Sequence, residues 1–227
     1  MKTALVTGAS RGVGRATALG LGARGYRLEL LGRASDDQLE TERSLRAQGT
    51  LFEFADCDLG DFSSTDRAIE LILARAGAPE VVIHNAGIVE RAAFAEFDDA
   101  SWQRQLDVNL TAPFRVTRAL LPAMLAARSG RILFVSSISA VVGSPRQVAY
   151  NVSKAGLVAL MRCLAEELSD TGLMTAAVLP GAIDTDMLRG SGYAARMTAD
   201  EVARTLVFLA TEASLAHNGG VTEMFGV

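Results

Sequence analysis

Seven short apolar segments alternating with six longer helical patterns predict an α/β fold: a doubly wound domain with a central parallel sheet of about seven strands and helices on both faces. The connections between strands are long enough to hold helices, and strand–helix–strand units cross over right-handed onto parallel neighbours. No linker, low-complexity stretch or repeat interrupts the alternation, so the expectation is a single domain over residues 1–227.

In chain order, Ala4–Thr7 reads as the first strand and Gly12–Ala23 as the helix that follows a glycine-rich turn. Tyr26–Leu31 is the second strand; Asp36–Ala47 is a helix with Ser35 as its cap. Leu51–Ala55 and Ser63–Arg75 form the next strand and helix, followed by the apolar strand Glu80–His84. The long pattern Ser101–Ala127 predicts one helix, kinked near Pro113. Strand Arg131–Ser136, helix Tyr150–Ser169, strand Thr175–Leu179, helix Thr198–Thr211 and a last strand over Gly220–Phe225 complete the series.

Composition narrows the chemistry. The chain is 49% hydrophobic and 21% charged, a balance that supports a packed core. The net charge of −4 and the absence of a basic cluster exclude nucleic acid as the expected partner. No apolar run is long enough to span a bilayer, and Met1-Lys2 leads straight into the first strand, not a signal peptide. Cys57 and Cys163 stand alone, and His84 and His217 are too isolated for a histidine-centred metal site. The expectation is a cytoplasmic protein that uses neither metal nor thiol.

In a doubly wound sheet, ligands bind at the carboxyl ends of the strands. After the first strand runs Thr7-Gly8-Ala9-Ser10-Arg11-Gly12-Val13-Gly14, opening into a helix. Glycines there permit a tight turn and close approach of backbone to phosphate, and the helix N-terminus supplies free N–H groups. A Rossmann-type dinucleotide site follows from that placement. The second strand ends in Gly32-Arg33 where NAD binders usually carry an acid. Arg33 with Arg11 suits the 2′-phosphate of NADP(H), because guanidinium holds phosphate through several donors. The competing reading gives Asp36 or Asp37 the NAD role, although both fall at the start of a helix. Asp58 and Leu59 follow the third strand, and Asn85-Ala86-Gly87 follow the fourth.

At the fifth strand end stand Ser136 and Ser137, and Tyr150 with Lys154 opens the next long helix. The chain holds 20 arginines and only 2 lysines, so a primary amine four residues after a tyrosine is conspicuous. Residues i and i+4 share a helix face. An ammonium beside a phenol favours phenolate and lowers the tyrosine pKa, which equips Tyr150 as a general acid/base. Asn109 lies within the long helix, where Asn is a poor former. Pro180-Gly181-Ala182-Ile183-Asp184-Thr185 follows the sixth strand, where the nicotinamide half of a dinucleotide would end.

Together these motifs resemble the short-chain dehydrogenase/reductase family in its simple, single-domain branch, from Lys2 to about Leu209. The resemblance implies an NADPH-dependent reduction of a small-molecule ketone or aldehyde to its alcohol, reversible. It makes Tyr150 the proton donor and acceptor, and has Lys154 lower its pKa and bind the nicotinamide ribose. Ser137 would hold the substrate oxygen; Asn109 would keep a helix kink and a water in a proton relay. Asn85 would steady the sheet, Ile183 and Thr185 would meet the carboxamide, and Gly8, Ser10, Arg11, Gly12, Val13, Gly14, Arg33, Asp58, Leu59, Ala86, Gly87, Pro180 and Gly181 would line the cofactor. It also implies a homodimer or homotetramer packed through the two long helices. Alternatives are an NAD-dependent alcohol or steroid-type dehydrogenase, and a non-catalytic dinucleotide-binding sensor. His84 departs from the family's usual Asn, the substrate lid near 187–198 is short, and the tail Gly219–Val227 is atypical. Val89, Arg91, Ser139, Val141, Arg146, Gln147 and Tyr193 are the expected pocket surroundings, with Arg91 or Arg146 favouring an anionic group.

Overall fold

The computed structural model describes residues 1–226; Val227, the end of the expected domain and tail, lies outside the described residues. Seven strands are β1 (Thr3–Thr7), β2 (Arg27–Gly32), β3 (Phe52–Asp56), β4 (Val81–His84), β5 (Gly130–Val135), β6 (Leu173–Pro180) and β7 (Gly220–Met224). They form one parallel sheet in the order β3-β2-β1-β4-β5-β6-β7. The order reverses between β1 and β4, so a crevice opens at their carboxyl ends.

Alternation along each strand divides the core between the two faces. Ala4, Val6, Leu28 and Leu30 point to one side, where helices α1 (Gly12–Gly22), α2 (Asp36–Ala47) and α7 (Ala199–Thr211) cover them. Leu5, Leu31, Ile132 and Phe134 point to the other, beneath α3 (Phe62–Ala76), α5 (Ala112–Ala127) and α6 (Val148–Glu167). Burial on both faces is why these strands read as continuous apolar runs. One exception is Glu29, fully buried in β2, which Arg75 of α3 and Arg27 neutralise.

Local signals explain the helix starts. Ser35 Oγ accepts from Gln38 N at 3.1 Å, Asp61 caps α3, and Thr198 with Glu201 closes a reciprocal cap on α7. The N-terminus of α1 differs: its cap residue, Arg11, makes no side-chain capping bond.

The expected helix Ser101–Ala127 is not continuous. It divides into α4 (Asp99–Leu106), one π turn over Asp107–Thr111, and α5. The irregularity lies just before Pro113, which has no N–H to offer the carbonyls of the turn behind it. Pro113, which the sequence marks for a kink, thus adjoins a π turn that takes up one extra residue around Asn109.

Candidate active site

Two strand ends are stitched together at the reversal point. Asn85 Nδ2 donates to Thr7 O (3.1 Å) and Gly8 O (3.0 Å), while Thr7 Oγ1 accepts from the backbone N–H groups of Asn85 and Ala86, both at 3.1 Å. Thr7 is a positioning residue that sequence reading passed over as part of a strand.

The glycine turn has no room for side chains. A Cβ on Gly8 would lie 2.8 Å from Ala86 Cα, and one on Gly14 would lie 2.5 Å from Asn85 Nδ2. Gly8 and Gly12 also adopt φ of +67° and +55°, which glycine accepts without strain. With the uncapped N–H groups of α1 at its floor, this turn fits a pyrophosphate by both space and polarity. Arg15, unremarked in the sequence, holds the turn from below: its guanidinium donates to Ser10 O (2.7 Å), Asp37 O (2.8 Å) and Thr41 Oγ1 (2.8 Å). Val13 and Leu59 are buried in the core, so only their backbones face the crevice side.

At the adenosine end the two expected cations part company. Arg33 is exposed at the end of β2, and among the described residues it enters no ion pair. Arg11 instead reaches Asp186 at 3.0 Å and Asp37 at 3.4 Å. Asp56 Oδ1 accepts from Ala34 N at 2.9 Å, and Asp58 Oδ1 from Gly60 N at 2.9 Å, so both acids shape turns.

At the other end, α6 brings Tyr150 and Lys154 together. Lys154 Nζ lies 5.7 Å from the Tyr150 ring centroid and donates to Val135 O at 2.8 Å. Ser136 Oγ donates to Lys154 O at 2.8 Å, fixing the helix to the end of β5. Ser137 caps the following short turn through Ser139 N (3.1 Å) and leans toward Pro180 O at 3.5 Å. Asn109 is wholly buried: its side chain bonds Ile88 N (2.8 Å), Ile88 O (2.9 Å) and Ser153 Oγ (3.1 Å). The π turn therefore clamps the segment after Gly87, beyond the end of β4, to α6. Gly87 sits within this cluster, since a Cβ there would meet Lys154 Nζ and Asn109 Oδ1 at 3.3 Å each.

Burial governs the titration of these groups. It raises the Tyr150 phenol above its ordinary value, opposed by hydrogen bonding with Ser137 and by the positive charge of Arg91. Proximity to Lys154 does not offset that in the free protein, contrary to the sequence expectation. Burial lowers Lys154 to about 8. His84 drops to about 3 for the same reason; its ring bonds Thr117 Oγ1 at 2.8 Å and stacks on Phe134, so it is a neutral packing group.

The lysine shift carries a testable sign. Below pH 8 the amine is protonated both folded and unfolded, and the native state bears the full cost of burying charge. Between pH 8 and about 10.4 the native state releases the proton first, so stability rises with pH. Relative to Lys154→Met, the unliganded wild-type protein should gain about 2 kcal/mol between pH 7 and 9.5. Denaturant titration at both pH values measures this; a constant difference would mean the amine stays charged inside.

Residues Asp184–Arg196 form a loop closed by the Ile183–Met197 bridge and by Asp184 N donating to Met197 O at 2.9 Å. Its start touches the glycine turn, for a Cβ on Gly12 would lie 3.2 Å from the Thr185 methyl. Gly181 N donates to Met224 O, tying the end of β6 to β7. Of the expected pocket residues, Gln147 is buried, while Val141 and Tyr193 are exposed. A cavity of about 540 Å³ opens against Asp184–Ala195, and another of about 300 Å³ lies between Ala92 and Val152.

A parallel sheet with a glycine turn at its reversal point, and a buried tyrosine–lysine pair at the same edge, defines a Rossmann-fold oxidoreductase. The chain belongs to the short chain dehydrogenase family, whose model matches residues 2–194. It is 33% identical to a 3-oxoacyl-[acyl-carrier-protein] reductase of Synechocystis sp. over 97% of this chain and 94% of that one. It is 32% identical to 3-oxoacyl-[acyl-carrier-protein] reductase FabG of Escherichia coli K12, over 93% and 90%. A solved structure from Beutenbergia cavernae, assigned as an NAD(P)-dependent gluconate 5-dehydrogenase with NADP bound at low occupancy, superposes with a TM-score of 0.91 at 31% identity, covering 99% of this chain and 95% of that one. Among the described residues no helix is long and apolar enough to cross a membrane, and no cluster of side chains is arranged to hold a metal ion.

Proposed function

We propose that this protein is an NADP(H)-dependent oxidoreductase that reduces the carbonyl of a small-molecule ketone or aldehyde to the alcohol, and catalyses the reverse. The observation that carries this reading is the buried pair Tyr150–Lys154, beside Ser137 and around Gly87. The relatives, 3-oxoacyl-[acyl-carrier-protein] reductases, agree with carbonyl reduction, and NADP in the Beutenbergia structure agrees with the cofactor.

Gly8, Ser10, Gly12, Val13 and Gly14 would hold the pyrophosphate, Arg33 and Arg11 the 2′-phosphate, Asp58 and Leu59 the adenine side, and Asn85, Ala86 and Gly87 the central span. Arg11 would have to exchange its carboxylate partners for that phosphate. Pro180, Gly181, Ile183 and Thr185 would border the nicotinamide, beneath a short lid near 187–198. When bound, the cofactor supplies the hydride. The chain's own residues handle the proton. Tyr150, kept protonated near neutrality by burial, gives its proton to the carbonyl oxygen, to which Ser137 Oγ also donates. The Lys154 charge, over the same ring, stabilises the phenolate that results. Asn109 positions the strand end against α6 and would hold the water that returns the proton.

Exposed Phe114 and Leu125 on α5 and Val152 on α6 support a homodimer or homotetramer packed through these helices, and a cytoplasmic location belongs to the same proposal. The test is loss of NADPH absorbance with a panel of ketones, aldehydes and oxo acids, beside NADH as alternative donor. We expect turnover with NADPH in preference; no consumption of either cofactor with any carbonyl would leave a dinucleotide-binding sensor.

A further inference from the structure

We infer that Arg91 is an anion-recognition residue of the substrate pocket, so that the carbonyl compound this protein reduces carries a carboxylate. The inference rests on the carbonyl-reductase reading above and narrows its substrate class.

Arg91 lies four residues past Gly87, on the segment that Asn109 clamps at Ile88. Its Nη2 donates to Met187 O at 2.9 Å, so the guanidinium spans from that segment to the lid. Its Nε is buried and has no hydrogen-bond partner. A buried donor left unmatched is uncommon and costly, more so on a charged group. Of its five N–H donors, then, Nη2 is engaged by the Met187 carbonyl while the buried Nε is unmatched.

The acids beside Arg91 and beside its Met187 contact are committed elsewhere. Glu90, its neighbour in sequence, is drawn outward into a two-pronged pair with Arg104 of α4, at 2.8 Å for both bonds. Asp186, next to the Met187 carbonyl that Arg91 holds, pairs with Arg11 at 3.0 Å and Arg189 at 2.8 Å. Among the described residues Arg91 itself enters no ion pair. The outcome is a cation without a counter-ion, near enough to Tyr150 to stabilise its phenolate. A planar fork with donors left unmatched suits a carboxylate, which can accept from more than one N–H. Arg146 does not share this role: it is exposed, and its backbone carbonyl is what engages Ala92 N at 3.1 Å.

The experiment compares 3-, 4- and 5-oxo carboxylates with their methyl esters, in wild type, Arg91→Leu and Arg91→Lys. Wild type should favour the carboxylates. Arg91→Leu should lose about 10- to 100-fold in kcat/KM on them, mainly through KM, while changing the esters by no more than about threefold. Arg91→Lys should recover only part of the loss, because an ammonium lacks the fork. Equal losses on acid and ester would overturn the inference, leaving Arg91 as a support for the lid; so would wild-type indifference to the carboxylate. A second readout needs no turnover: calorimetric binding of propanoate to the protein–NADP⁺ complex, with inorganic phosphate as the rival anion. Propanoate binding lost in Arg91→Leu supports the inference even if no carbonyl is reduced, in which case the proposed function alone falls. Binding of phosphate but not propanoate overturns it.

Discussion

Tyr150→Phe is expected to lower kcat for carbonyl reduction by about 10²- to 10⁴-fold, with NADPH affinity unchanged. The substitution removes one oxygen and little else. The ring stays in its buried place on α6, Lys154 keeps its bond to Val135 O, and the glycine turn lies on another part of the sheet. What disappears is the hydroxyl proposed to hand a proton to the substrate oxygen. A loss of about 10³-fold corresponds to roughly 4 kcal/mol of transition-state stabilisation. Because the interaction forms with the reacting oxygen, kcat and kcat/KM should fall together. Steady-state kinetics and a fluorescence titration with NADPH check both halves, and near-normal turnover would refute the role. The direction of the pKa shift adds a pH dependence. A phenol raised by burial stays protonated through neutrality, so reduction should hold steady there, while alcohol oxidation should climb as pH rises.

Gly14→Ala should be the most damaging change at the cofactor end. The added methyl would press on the Gly8 carbonyl and lie 2.5 Å from Asn85 Nδ2, and neither can retreat. The Gly8 carbonyl belongs to the turn itself, and Asn85 is bound to both Thr7 and Gly8. The turn must open, withdrawing its N–H groups from where phosphate would sit. We expect NADPH affinity to fall by about 100-fold, roughly 3 kcal/mol, with a stability loss of about 1–3 kcal/mol. Gly143→Ala is the control, because nothing lies within 4 Å of its added methyl. Should Gly14→Ala fail to fold, Asn85→Ala loosens the same turn without overpacking. Unaltered affinity in both variants would remove the turn from the cofactor site.

Much of this was legible in the sequence because it depends on short-range pattern. Parallel strands buried on both faces give apolar runs, which placed the inner strands, whereas the partly exposed edge strands β3 and β7 gave a weaker pattern. The glycine turn, Ser35 and the Tyr150–Lys154 spacing are local chemistry. What escaped depends on distant partners. His84 looked like a variant of a cofactor-side residue, yet it points into the core toward Thr117 and Phe134. Arg11 appeared free for a phosphate, but its two carboxylates come from α2 and from the lid, 26 and 175 residues away. Arg15 gave no signal, since a helix-facing arginine in an arginine-rich chain looks like a solvated charge. Asn109 could be read alone as an exposed helix residue; its burial follows from contacts with Ile88 and Ser153 that local sequence does not encode.

The π turn at Asp107–Thr111 joins two helices. A wide turn absorbs one residue beyond the α-helical count, and successive residues are offset by about 100° around a helix. Deleting a single residue there would let α4 and α5 fuse into a regular helix in nearly the same phase, because the wide turn already takes up the surplus residue within one rotation. Val116, Leu120 and Met124 would keep their places beneath the sheet, while Asn109 would lose the bulged position from which it bonds Ile88 and Ser153. An apparent irregularity thus acts as a spacer: the surplus residue lets one side of the rod carry the core and another carry the reacting edge.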